Sequence, residues 1–408
     1  MGILMLLGLI TMYAIGPQRA NVLNNAYGTD YYEPMYFFIK QTWSLTLAVV
    51  AFFITAVLLS YSFLHRYSKN ILIAGFAACG FLFIFGNVLQ VEAIAQCSLG
   101  ACRWFNLGQF NIQPAELLKF GILLYVAGFL GLRAKQGLIN DFNKTLKPLG
   151  IISLAALLFI VVAQKDMGTG ISLIVMLAAM LFVAGLRARI GLILILITLA
   201  ASVIFIISAP HRIARVATYF SGDNTSVDDP GSYHIAHAKI AIGSGGLLGV
   251  GIGNSVQATG YLPEAVNDSI FAILGETFGF AGLMVILGLF TVLLLRVLRV
   301  SDGLQDSGQK ILVAGIFGWL ASHVVLNVGA MIGIIPLTGI TLPLLSSGGT
   351  SMIVMAAALG LAFQLSRFTD SEKYSRQQNT YTNTRRYQNR RSQQSGRFDR
   401  GRGEERIS

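Results

Sequence analysis

The sequence predicts an all-α polytopic membrane protein of about ten transmembrane helices, with a long extracytoplasmic loop between helices seven and eight. Three observations carry that expectation. Hydrophobic residues make up 54% of the 408 and charged residues only 12%, whereas a soluble domain carries about 25% charged residues. Mean hydropathy is +0.65. The apolar residues also fall in uninterrupted blocks of about 17–25, the length a helix needs to cross hydrocarbon. Lipid offers backbone groups no partners, so such blocks must be helices, and no barrel pattern fits.

In order, the spans are Ile3–Pro17, Tyr36–Ser60, Ile71–Val91, Ala115–Leu132, Leu149–Ala163, Gly168–Leu186, Ile190–Ala209, Ser269–Leu298, Ile311–Gly333 and Thr350–Arg367. The first is short and begins beside Met1. It lacks the basic n-region and small-residue cleavage site of a signal peptide; a start codon assigned slightly late would account for its missing head.

Lys and Arg orient the bundle. With the N-terminus in the cytoplasm, the inner loops hold 11 of the 30 basic residues, the tail from Arg367 another 11, and the outer side 8. An even number of spans returns the C-terminus to the cytoplasm. The tail carries 11 basic and five acidic residues and almost no aliphatic ones, so residues 368–408 are expected to be a disordered basic segment behind a membrane domain of residues 1–367. Contact with anionic lipid headgroups is its simplest use, and docking of a cytoplasmic partner is the alternative. Short Arg/Gly runs are common in such tails, so no nucleic-acid partner is expected.

Three cysteines exclude a disulfide scaffold or a cysteine-rich metal site. Cys79 lies within a span and reads as packing. Cys97 and Cys102 lie in the outer loop after the third span; free thiols are the expected state, with a bridge across that loop as the alternative.

Chemistry is expected in the loop from Ala209 to Asp268, because long ordered loops are usually functional. It carries Arg212, Arg215, His234, His237, Lys239 and a glycine-rich run, Gly243–Gly253. His234 and His237 lack evident third and fourth ligands nearby and read as a surface pair. The run GSGGLLGVGIG has neither a preceding strand nor a following Lys-Ser/Thr, so it is not read as a nucleotide site.

Five segments then occur in a specific order: GACRWFNLGQFNIQPAELLKF (Gly100–Phe120), QKDMGTG (Gln164–Gly170), AIGSGGLLGVGIG (Ala241–Gly253), YLPEAVNDSIFAILGETFGFAG (Tyr261–Gly282) and IPLTGITLPLLSSGGTS (Ile335–Ser351). Together they resemble the SEDS family (shape, elongation, division and sporulation), from about the first span to Arg367. The resemblance implies a ten-helix glycosyltransferase of the cytoplasmic membrane. Such an enzyme polymerises lipid II into peptidoglycan glycan strands on the outer face, beside a class B penicillin-binding protein that crosslinks them. Divisome proteins and membrane lipids are the other implied partners. A divalent cation, Mg or Mn, is the implied cofactor. A lipid II flippase or a non-catalytic scaffold is the alternative role. The MYFFIKQ entry to the second span and the long basic tail favour the FtsW-like division branch over the RodA-like elongation branch.

The family's essential aspartate lies in LPEAHTDF, which here reads LPEAVNDS, and its match is Asp268. One carboxylate is enough for the chemistry. A base must take the proton of the acceptor 4-hydroxyl, while a lipid diphosphate leaves without an acid. Glu276 lies eight residues on, about 12 Å along a helix, too far to act as a paired acid. The structural alternative for Asp268 is a helix N-cap. Glu116 and Lys119 share one face of the fourth helix and are expected to support the substrate groove, with a pair that holds helices in register as the alternative. Arg103 matches an arginine of the family's RRW-type motif. Arg212 and Arg215, also matched, can hold a diphosphate, with a generic anionic-lipid contact as the alternative, and Lys239 is expected on the substrate side. Departures gather around the base: Val266, Asn267 and Ser269 stand where the motif has His, Thr and Phe. Lys165, Thr277 and Ser347 depart from the motif elsewhere.

Overall fold

A computed structural model describes residues 1–91, 93–98, 101–108, 110–207 and 230–368. The helices are α1 (Gly2–Tyr27), α2 (Tyr36–Leu58), α3 (Tyr61–Val88), α4 (Pro114–Lys135), α5 (Phe142–Ala163), α6 (Met167–Ala184), α7 (Ala188–Ile207), α8 (Pro230–Ser244), α9 (Ile270–Gly303), α10 (Ser307–Met331) and α11 (Thr350–Phe368). Among the described residues nine are long and apolar enough to cross a membrane, and α7 occupies the seventh predicted span. α8, with 15 residues, is too short to cross. The last turns of α2, α3 and α5 are π-helical.

Two of the differences from the expectation bear on one end of the bundle. α1 does not stop at Pro17 but continues to Tyr27, where Gly28 in the left-handed region (φ 62°) returns its N–H to the Asn24 carbonyl. The extension is held from outside: Gln18 Nε2 donates to the Gly253 carbonyl at 3.0 Å, and Gly260 packs against Val22. The loop after α3 folds into a three-stranded antiparallel sheet, β1 (Ala95–Ser98), β2 (Ala101–Leu107) and β3 (Phe110–Ile112). Cys97 faces Cys102 across β1 and β2, and the two form a disulfide. The expectation of free thiols is therefore corrected: strand pairing, invisible in a five-residue spacing, brings the sulfurs together.

The centre is built by α4, α6 and α10. Glycine permits close approach where packing, not water, drives helices together. A Cβ on Gly75 would lie 2.8 Å from the Leu118 Cα, and one on Gly121 2.9 Å from the Leu72 Cα, so the α3 and α4 backbones touch. Connections sort to two ends. At one end Lys135 pairs with Asp306 at 2.6 Å, and the Arg187 N–H donates to Asn140 Oδ1 at 2.8 Å. The other end gathers the β-sheet, the α5–α6 turn, α8, the segment before α9, and residues 332–349. This last segment dips inward, with Leu342, Leu344 and Leu345 buried.

Candidate active site

Residues 263–269 form a compact turn that delivers the chain into α9. Glu264 sits in the left-handed region (φ 51°), and its carbonyl accepts from the N–H groups of Asn267 at 2.9 Å and Ser269 at 3.2 Å. Ser269, not Asp268, takes the cap position of α9, and its hydroxyl turns back to the Pro263 carbonyl at 2.8 Å instead of capping. The N-cap alternative for Asp268 is thus not what the chain builds. Asp268 is half-buried, and its Oδ1 is shielded from solvent with no hydrogen-bond partner. Desolvation, then the neighbouring Glu264 carboxylate, push its pKa up to about 7, although the N–H groups of residues 268 and 269 pull the other way.

Glu276 has the opposite surroundings. It is buried, its Oε2 accepts from the Ser255 hydroxyl, and its Oε1 accepts from the Val256 N–H at 3.0 Å and the Gln257 N–H. It anchors the 255–258 segment and is not an acid partner for Asp268. The glycine-rich run also has a structural use. The N–H groups of Val250 and Gly251 donate to the carbonyls of Glu276 and Thr277, and those of Phe280 and Ala281 donate back to Gly246 and Leu247. α9 breaks there at Gly279 (φ 66°). A Cβ at that point would lie 2.6 Å from the Leu247 carbonyl carbon, so only glycine fits.

The histidines of α8 are not a surface pair. His234 Nε2 lies 2.6 Å from the Ser269 hydroxyl, and His237 Nδ1 lies 2.8 Å from Gln257 Oε1. Burial holds the His234 pKa below its ordinary value, against the pull of Glu264. Their partners lie 35 and 20 residues away, so local spacing could not show them. Lys239 is exposed on α8, with its side chain against Gly333.

Glu116 and Lys119 do face one another, at 2.9 Å, and both are buried. The Lys119 ammonium also lies 3.2 Å from His323 Nε2 and over the Trp319 ring at 4.6 Å. Trp319 Nε1 donates to the same His323 nitrogen at 3.1 Å. Two donors converging on Nε2 make it the acceptor, which places the ring proton on Nδ1. One turn further along α10, Asn327 donates its amide to the carbonyls of Asp268 and Ile340, both at 2.7 Å. The Trp319, His323 and Asn327 stripe therefore runs from the Lys119 pair to the backbone of Asp268. Sequence reading missed His323 and Asn327; polar side chains inside an apolar span were the available signal.

Arg103 is committed to backbone: Nε donates to the Gln164 carbonyl at 3.1 Å and a terminal nitrogen donates to the Lys165 carbonyl at 2.8 Å. That clamp sets the entrance to α6, whose Asp166 accepts from the Thr169 N–H and from Gln113 Nε2, each at 2.9 Å. Of the departures from the motif, Val266 is buried and lends its carbonyl to the Ser347 N–H at 2.9 Å. Arg212 and Arg215 lie outside the described residues. Among the described residues, no group of three or more His, Cys, Asp and Glu side chains is arranged to hold a metal ion.

Comparison with known proteins adds three likenesses. The family model described as "Cell cycle protein", which covers FtsW, RodA and SpoVE, matches residues 1–371. Stage V sporulation protein E of Bacillus subtilis (strain 168) is 36% identical over 372 residues, 90% of this chain and 95% of that protein. A probable peptidoglycan glycosyltransferase FtsW of Escherichia coli O6:H1 is 34% identical over 345 residues, 84% of this chain and 80% of that protein. In fold, the chain superposes with a TM-score of 0.67 on a chain of a peptidoglycan synthase complex described as coordinating polymerization and crosslinking. That match is 24% identical and covers 89% of this chain and 97% of the other.

Proposed function

Because the chain belongs to the FtsW, RodA and SpoVE family of cell cycle proteins, we propose that it is a peptidoglycan glycosyltransferase that extends glycan strands from lipid II, with Asp268 as general base. One observation carries the assignment. Asp268 is a half-buried carboxylate that no side-chain donor holds, with Oδ1 shielded and unpartnered and a pKa raised to about 7. A base titrating near neutrality is ionised often enough to act and basic enough to accept a proton.

In this reading Asp268 removes the proton of the acceptor 4-hydroxyl as that oxygen bonds to the donor's anomeric carbon. The bond from that carbon to the diphosphate oxygen breaks, and the lipid diphosphate leaves as an anion. Arg212 and Arg215 hold the diphosphate, Lys239 adds positive charge from α8, and Glu116, Lys119 and Arg103 support the elements around the site. If a divalent cation takes part, Asp268 and the substrate diphosphate are the groups that would hold it. When bound, it would neutralise diphosphate charge.

The reading places the Asp268 end of the bundle outside the cytoplasmic membrane and both termini inside, following the Lys and Arg distribution. A class B penicillin-binding protein is the proposed crosslinking partner, and division is the proposed setting. The test is polymerisation by purified protein with that partner, lipid II and a divalent cation. Asp268→Asn is expected to lower the rate about 10²–10⁴-fold, the usual worth of a general base. Equal rates would remove the assignment. No glycan from either protein, together with lipid II crossing a vesicle bilayer, would favour transport.

A further inference from the structure

The turn that carries Asp268 is held at two points by helices it does not belong to. On one side Asn327 of α10, 1% exposed, donates both amide hydrogens, one to the Asp268 carbonyl and one to the Ile340 carbonyl. One side chain thereby ties the peptide of the carboxylate residue to the segment between α10 and α11. On the other side the buried Ser269 hydroxyl gives its hydrogen to the Pro263 carbonyl, so it is an acceptor toward His234 at 2.6 Å. His234 Nε2 is therefore the donor, from α8. The turn closes on itself through the Glu264 carbonyl, which accepts from the N–H groups of residues 267 and 269. With its ends tied, and with the Val266 carbonyl also bonded to the Ser347 N–H, the two helix contacts fix the backbone from which the Asp268 side chain projects.

From this geometry we infer that Asn327 and His234 are positioning residues that together hold the Asp268 carboxylate in reach of substrate. The inference rests on Asp268 as base, and it deepens that reading by adding two residues that do not touch the reacting atoms. It also gives the altered residue at position 269 a use. Ser269 supplies a hydroxyl through which α8 reaches the turn, and a phenylalanine there would offer His234 no acceptor. A clamp of this kind matters because a displacement of about 1 Å at a reacting group costs on the order of 100-fold in rate.

The experiment compares steady-state polymerisation of lipid II by the full chain with its penicillin-binding partner. Asn327→Asp keeps the shape but removes both amide donors; it is expected to lower kcat about 10–100-fold with KM for lipid II changed less than about threefold. His234→Ala is expected to lower kcat about tenfold, and His234→Gln, which restores an N–H donor, to return most of it. Each variant is first checked for wild-type elution and melting in detergent. For any variant that fails, Asn327→Ser and His234→Asn are measured in its place.

The pair with Asp268→Asn separates the two claims. If both residues act through the carboxylate, Asn327→Asp costs little further activity in the Asp268→Asn background, because members of one unit are non-additive. Unchanged kcat in Asn327→Asp and His234→Ala beside an impaired Asp268→Asn overturns the clamp and leaves the base standing. Equal fractional losses in both backgrounds also overturn it. Wild-type activity in Asp268→Asn overturns the base itself, and the clamp with it.

Discussion

Glu276 and Asp268 lie eight residues apart in one segment, and the fold treats them in opposite ways. Glu276 is met by the Ser255 hydroxyl and the N–H groups of Val256 and Gln257, so both of its oxygens are occupied. Asp268 is half-buried, and its shielded Oδ1 keeps no partner. A buried carboxylate surrounded by donors is spent on structure. One left unpartnered bears a desolvation cost that structure alone does not explain, and such groups concentrate where chemistry is done. Glu116 falls between the two, with one oxygen on Lys119 and the other unpartnered.

The largest effect should come from breaking the occupied partner. Glu276→Ala leaves a hydroxyl and two N–H groups without their acceptor, which is expected to cost about 3 kcal/mol or more. Thermal unfolding in detergent would measure it, and an unchanged melting temperature would dissolve the contrast with Asp268. Next is the pH profile. Only ionised Asp268 can accept the proton, so rates at low lipid II should fall about tenfold per pH unit below an apparent pKa near 7. A flat profile between pH 5 and 8 would count against the base.

A smaller effect concerns stability. The folded-state pKa of Asp268 is raised from 3.8 to about 7. Its contribution to stability is therefore present below pH about 4 and is lost as pH rises through about 7. Melting temperatures of wild type and Asp268→Asn should diverge from pH 5 to pH 8, with the wild type falling relative to the variant. The smallest effect is local. The disulfide between Cys97 and Cys102 should leave both sulfurs unlabelled by a thiol reagent until reductant is added, and full labelling without reductant would contradict the bridge.

Much of the fold was legible because membrane spans are written in composition. Uninterrupted apolar blocks admit little but helices, and the predicted spans find their helices at shifted ends. The extension of α1 beyond Pro17 was not legible, since it depends on Gln18 and Val22 meeting residues 253–260. The carboxylate at 268 was found through its motif, and the Glu116–Lys119 pair through helical spacing. Their surroundings were not, because each is completed from a distant element. His323 and Asn327 are contributed by α10, and His234 reaches Ser269 from α8. Spacing reports what one helix face carries, whereas a buried polar network depends on which faces meet. The same limit made His234 and His237 look like a surface pair.

The most direct test of the central claim is the initial rate of glycan polymerisation from lipid II per folded molecule, measured side by side for wild type, Asp268→Asn and Glu276→Gln. The carboxylate with an unpartnered oxygen is expected to carry the chemistry, so Asp268→Asn should fall at least about 100-fold while melting no lower than wild type. Glu276→Gln should melt lower yet polymerise within about tenfold of wild type. Wild-type polymerisation by Asp268→Asn would contradict the account.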